Sequence, residues 1–165
     1  MLVAEAVFVL IVLAAALSDV ISYRIPNMLV LALMGAFIVW GVLHYKETAW
    51  LSHFGAALLC LIAGYILYQL GQMGAGDVKL LTAVALWTGL SGLIALLLYM
   101  SLSGLLALPL ILLARSLVVK AQANNLWKPQ WPVPRVLTKK QGVPYGVAIA
   151  LGAIATIVIR PLTIG

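Results

Sequence analysis

The chain has 165 residues, 65% of them hydrophobic and 8% charged, with 10 Lys and Arg against 4 Asp and Glu and a formal net charge of +6. That leaves too little polar material to cover a soluble globule, and the apolar residues fall in uninterrupted runs, so the composition excludes a water-soluble domain and points to a bilayer. The basic residues stand at the ends of apolar runs, apart from one cluster between Arg115 and Lys140. Such a placement reads as membrane orientation, and no nucleic-acid partner is expected. Cys60 is the single cysteine and lies within an apolar run, which rules out a disulfide framework or a cysteine metal site and predicts a small buried hydrophobe.

In chain order, the first apolar segment covers about residues 2–17. Ala14-Ala15-Ala16 offers the small residues of a signal-peptide cleavage site, but Glu5 is the only charge ahead of Asp19 and no basic region leads the run, so a retained helix is predicted. Ser18-Asp19 ends it, and Ser22-Tyr23-Arg24 forms a polar connection. Pro26, suited to a helical first turn, restarts the chain before Asn27 and segment two, about residues 28–43. A polar loop with interfacial aromatics runs from His44 to Trp50, and His44 and His53 beside it read as interface residues. Segment three, about 51–70, carries Gly55, Ala56, Ala57 and Gly64, small residues that let membrane helices approach closely. After Gly74-Ala75-Gly76-Asp77 come segment four, about 78–90, and segment five, about 93–113, with Ser91-Gly92 expected to make the turn between them. Residues 114–142 form a predicted basic loop with Arg115, Lys120, Lys128, Arg135, Lys139 and Lys140 and no acid. Pro129, Pro132 and Pro134 break helix there, and Trp127 and Trp131 fit the headgroup layer. This loop either follows anionic lipid alone or also docks a substrate. Segment six, about 143–159, opens with Val143-Pro144-Tyr145-Gly146. No tandem repeat is evident.

The expectation is therefore an all-α, polytopic membrane protein, one domain over residues 1–165 with six transmembrane helices. Six helices put alternate loops on opposite sides. Arg24, Lys79 and the six basic residues of the long loop then share one face, and only Lys46 and Arg160 fall on the other. By the positive-inside rule both termini are expected on the non-cytoplasmic side, with Asp19 and Asp77 at the cytoplasmic ends of their helices.

Those are the only aspartates in the chain. Asp77 has a plain reading as the N-cap of segment four, and Asp19 as a headgroup-level residue, although a negative charge at a helix C-terminus opposes the macrodipole. Segment four, at about 1.5 Å per residue, spans only about 20 Å against a hydrocarbon core of about 30 Å, which would sink Asp77 below the cytoplasmic surface. Two carboxylates held together do not both ionise easily; they share a proton, one serving as base towards water and the other as acid. That arrangement hydrolyses a peptide bond without a metal or cofactor. His44 and His53 match no zinc spacing, and neither a Gly-x-Ser-x-Gly elbow nor a P-loop occurs.

Ser18-Asp19 followed by Ile25-Pro26-Asn27, then Gly74-x-Gly76-Asp77-Val78-Lys79-Leu80-Leu81, then Val143-Pro144-Tyr145-Gly146, resemble in order the three blocks of the type IV prepilin peptidases, Gly-x-Gly-Asp intramembrane aspartic proteases. The resemblance implies Asp19 and Asp77 as the catalytic pair, with Gly74, Gly76, Lys79, Pro26, Asn27 and Pro144 as candidates for shaping the site or touching substrate. It implies removal of a short basic leader from prepilin or pseudopilin precursors at the cytoplasmic face of the inner membrane, with pilus assembly machinery as a further partner. The short chain without a cysteine pair is similar to the peptidases of Flp or tight-adherence pili, and no methyltransferase activity is expected; archaeal preflagellin peptidases share the motifs. Lys79 and Arg24 read either as snorkelling anchors or as functional cations beside the carboxylates. A small proton-coupled carrier using both aspartates as relays, or a non-catalytic assembly scaffold, are the readings from other classes.

Overall fold

The computed structural model describes residues 2–123 and 145–163. Among them every regular element is an α-helix: α1 (Leu2–Ser22), α2 (Asn27–Leu43), α3 (Trp50–Gln69), α4 (Ala75–Ala123) and α5 (Tyr145–Thr163). Three stretches are long and apolar enough to cross a membrane, Val3–Ser22, Trp50–Gln69 and Ala75–Ala121, and the apolar helices Asn27–Leu43 and Tyr145–Ile159 are shorter.

The centre of the fold is the first part of α4. Residues 80–89 are buried without interruption, Thr82 and Thr88 included. A helix that is apolar all round belongs inside a protein, and the two threonine hydroxyls bond back to the carbonyls of Val78 (2.8 Å) and Ala85 (3.3 Å), so neither is left unsatisfied. Trp87 ties this helix to its neighbours: its ring packs at a tilt against Phe8 of α1 (5.2 Å between centroids) and edge-on against Phe37 of α2 (5.8 Å), and its indole N–H donates to the Leu33 carbonyl at 2.9 Å.

Gly89, with φ of 65° and ψ of 179°, interrupts α4 and folds it back on itself. A Cβ on Gly64 would meet Val78, and one on Gly89 would meet Ser52 and His53, so α3 and residues 75–88 run antiparallel. Beyond the break Gly92 faces Thr156, Gly152 faces Met100 and Gly104 faces Ala148, so the chain climbs back antiparallel to α5. The turn thus falls at Gly89, ahead of the expected Ser91-Gly92, because only glycine takes a positive φ cheaply.

Other expectations also move. α1 continues past residue 17 to Ser22, since the Ser22 hydroxyl bonds to the Ser18 carbonyl (2.7 Å) and the Tyr23 N–H closes the last turn onto the Asp19 carbonyl (2.8 Å). α4 starts at Ala75 and runs to Ala123, so residues 114–123 of the expected basic loop are helical. Ala, Arg, Leu, Lys and Gln dominate that decapeptide and all favour helix. Residues 124–142, with Trp127 and Trp131, lie outside the described residues. His53 is not an interface residue: it is buried, 5.1 Å from the Phe37 ring, with Nδ1 on the Leu86 carbonyl.

Glycine contacts give a stability test. A Cβ on Gly152 would lie 2.6 Å from the Met100 backbone nitrogen, whereas one on Gly35 meets nothing within 4 Å. Gly152→Ala is expected to destabilise the protein by about 2 kcal/mol as α4 and α5 are forced apart, and Gly35→Ala to stabilise it by about 0.5–1 kcal/mol. Unfolding in detergent followed by circular dichroism reads both; equal effects would show that the α4–α5 approach is wrong.

Candidate active site

Asp19 stands in the last turn of α1 and Asp77 in the first turn of α4. Both line one cavity of about 280 Å³, whose walls are the connection from α1 to α2, contributing Tyr23, Arg24, Ile25 and Asn27, and the turn into α4, contributing Gly74, Ala75, Gly76 and Lys79. Asp19 is buried and Asp77 partly buried.

Each carboxylate is held by a glycine backbone. The Gly146 N–H, in the first turn of α5, donates to Asp19 Oδ2 at 2.9 Å. The positive end of α5 therefore meets the negative charge that the end of α1 disfavours. No side chain fits there, because a Cβ on Gly146 would lie 2.7 Å from that same oxygen. Asp77 is the third residue of α4, so the N-cap reading is corrected by three positions: Gly74 precedes the helix, and its carbonyl accepts the Val78 N–H at 3.1 Å. The Asp77 carboxylate turns back towards Gly74, as an acidic third residue does in a capping box. A Cβ on Gly74 would come 2.9 Å from Asp77 Oδ2. The other oxygen, Oδ1, is buried and accepts no hydrogen bond from the described residues.

The connection between α1 and α2 is shaped to reach the pair. Tyr23 adopts φ of 53°, rare for a residue with a side chain and associated with functional constraint. The Ser18 hydroxyl (2.8 Å) and the Ser22 hydroxyl (3.3 Å) both donate to the Arg24 carbonyl, folding the strand against the end of α1. Gly76 completes the approach, since a Cβ there would press on Ile25 at 3.4 Å. Lys79 Nζ donates to Asn27 Oδ1 at 3.1 Å, joining the two cavity walls. That contact gives the Lys79 ammonium a partner within the protein.

Of the residues singled out by sequence, Asp19, Asp77, Gly74, Gly76, Lys79 and Asn27 therefore gather at one cavity. Pro26 sits between two lining residues as the exposed N-cap of α2 and does not line it. Pro144 lies outside the described residues. Gly146 lies in the motif Val143-Pro144-Tyr145-Gly146 but is not among the residues singled out by sequence, because a backbone N–H leaves no mark on side-chain chemistry. Among the described residues no group of three or more His, Cys, Asp or Glu is placed to hold a metal ion.

Fold and site define a helical membrane protein with a paired-carboxylate cavity at the ends of two of its helices. The chain belongs to the type IV leader peptidase family, whose model matches residues 6–114, a stretch that contains both aspartates. It is accordingly a peptidase of the prepilin leader type. No curated protein and no solved structure matches the chain.

The glycine at 146 supplies the test of this geometry. Gly146→Ala is expected to lower peptidase activity by about a hundredfold, since displacing a reacting group by about 1 Å carries that penalty. Leader cleavage assayed in proteoliposomes, with helical content checked alongside, measures it; unchanged activity would show that Asp19 does not depend on the α5 amide.

Proposed function

We propose that this protein is an intramembrane aspartic endopeptidase that cleaves the short basic leader of prepilin or pseudopilin precursors, of the Flp or tight-adherence kind, at the cytoplasmic face of the inner membrane. The observation that carries the reading is that the only two aspartates of the chain, 58 positions apart, share one cavity. Neither plain reading of the aspartates predicts that: a helix cap and a headgroup anchor have no reason to meet.

The chemistry follows from the pair. One carboxylate is ionised and one protonated, because like charges so near resist full ionisation. The carboxylate takes a proton from a water while the water oxygen adds to the scissile carbonyl carbon. The protonated partner gives its proton to the carbonyl oxygen, forming a gem-diol. Collapse of the diol breaks the C–N bond as the leaving nitrogen takes up a proton, and the pair is again left with one proton. Gly146 fixes Asp19 through Oδ2, while Asp77 Oδ1, buried and without a donor among the described residues, is left free to act on water.

Arg24 and Lys79 on the cavity wall match the basic side of the charge distribution, which supports a cytoplasmic opening. The substrate's own apolar helix lies in the bilayer, so a bond just ahead of it arrives at that level. Pilus assembly machinery is the further partner in this reading.

Asp19→Asn and Asp77→Asn are each expected to abolish leader cleavage, by at least about 10³-fold, with insertion and helical content unchanged. Incubating purified protein with a candidate prepilin and measuring product mass locates the bond. The same mass reports the new N-terminus, expected unmethylated because this chain's single cysteine, Cys60, is buried in α3 and has no partner for a cysteine pair. Cleavage by either Asn variant would overturn the assignment.

A further inference from the structure

A helix broken in apolar surroundings leaves backbone donors and acceptors at the break without their usual partners, up to four of each, and the Leu90 N–H and Leu86 carbonyl are one such pair. In an unbroken α4 the Leu90 N–H would donate to the Leu86 carbonyl. Gly89 turns the two groups apart. Two consecutive residues in the first turn of α3 take over the two halves of that bond. The Leu90 N–H donates to Ser52 Oγ at 3.0 Å, and His53 Nδ1 lies 2.8 Å from the Leu86 carbonyl oxygen. A carbonyl only accepts, so Nδ1 carries the proton and donates.

The clamp is rigid. The Ala49 carbonyl accepts both the Ser52 N–H (2.8 Å) and the His53 N–H (3.2 Å), setting the turn that presents the two side chains. Phe37 and Trp40 box the imidazole at 5.1 and 6.5 Å. Gly89 fills the remaining space, since a Cβ there would lie 3.1 Å from Ser52 Oγ and 3.3 Å from His53 Nδ1. Residues 75–88 form the rod between this clamp and Asp77, and the rod is buried along most of its length. An axial slip or rotation at its far end therefore appears at Asp77, about 18 Å away.

We propose that Ser52 and His53 are positioning residues for Asp77: by replacing the hydrogen bond broken at Gly89 they fix the depth and rotation of residues 75–88, and with them the distance between the two carboxylates. The functional half of this inference rests on the catalytic reading of Asp77; the geometric half does not.

The test separates the two. In a Cys60→Ala background, Asp19→Cys with Asp77→Cys gives a protein whose two thiols are bridged by a short bifunctional thiol reagent, so the bridging rate reports their approach without any catalysis. Adding Ser52→Ala and His53→Ala is expected to slow bridging by about threefold or more, and His53→Gln, which keeps an N–H donor, to restore most of it. In the otherwise native enzyme the same alanine pair is expected to lower kcat by about tenfold or more at unchanged KM, again with recovery by Gln. If the double variant does not fold, His53→Leu compared with His53→Gln carries the same readouts. Unchanged bridging, or loss that Gln does not rescue, overturns the clamp; cleavage by Asp77→Asn overturns the catalytic reading and leaves the bridging result intact.

Discussion

In an apolar interior no backbone N–H or C=O can be left to solvent, and here that constraint falls hardest on residues 75–88, the most enclosed helix of the chain. Its end at Gly89 is satisfied by α3 through Ser52 and His53, and the indole of its Trp87 bonds to an α2 carbonyl. At its beginning its own third residue, Asp77, turns its carboxylate back towards Gly74, where a Cβ would come 2.9 Å from Oδ2. Ser52 and His53 are thus answering specific backbone groups at the break in this helix. The wrapping of α1, α2, α3 and α5 around it follows from the need to cover it on every side.

The same logic explains how two like charges come to face one another. Asp19 lies at the negative end of α1, an unfavourable place for a carboxylate, and the cost is offset by the amide at the positive end of α5. Asp77 lies at the positive end of α4. Both carboxylates therefore sit at a helix N-terminus, one its own and one borrowed. That local support is what allows them to share a cavity despite their like charge. It also explains why glycine stands at both contacts: the stabilising donors are main-chain groups, and only a residue without Cβ brings main chain this near a carboxylate.

The aspartates were legible because acids are scarce in such a chain and each punctuates an apolar run, so two positions carried the whole signal. Segment positions were legible for the same reason, since long apolar runs leave little choice. What escaped were features whose cause lies elsewhere in the fold. α1 reaches Ser22 because serine hydroxyls bond back within the helix, and serine is equally at home in a turn. The turn at Gly89 gave no periodic cue, since the ten residues that lead up to it, 80–89, are all buried and leave no polar face to mark where the helix ends. His53, next to a polar loop, looked interfacial; its real partner is a carbonyl 33 positions away, freed by a break that sequence alone does not reveal. Gly146 acts through a backbone atom that every residue possesses.

The fold-back at Gly89 sets the depth at which Asp77 lies. From Gly89, residues 75–88 extend about 21 Å and residues 90–123 about 51 Å, at about 1.5 Å per residue. The partner strand of the hairpin therefore outruns the inner helix by more than half its length, even with a bend at Pro109. If the longer helix reaches the membrane surface, Asp77 lies short of it. Water at that depth needs a polar route, and the cavity wall supplies one: Arg24, Asn27 and Lys79 line the same space as the carboxylates, with Lys79 held by Asn27. A recessed site with an apolar entrance would leave the carboxylates dry and without a nucleophile. On the proposed reading, the contact between Lys79 and Asn27 keeps two polar side chains together on that wall, where water can reach the carboxylates.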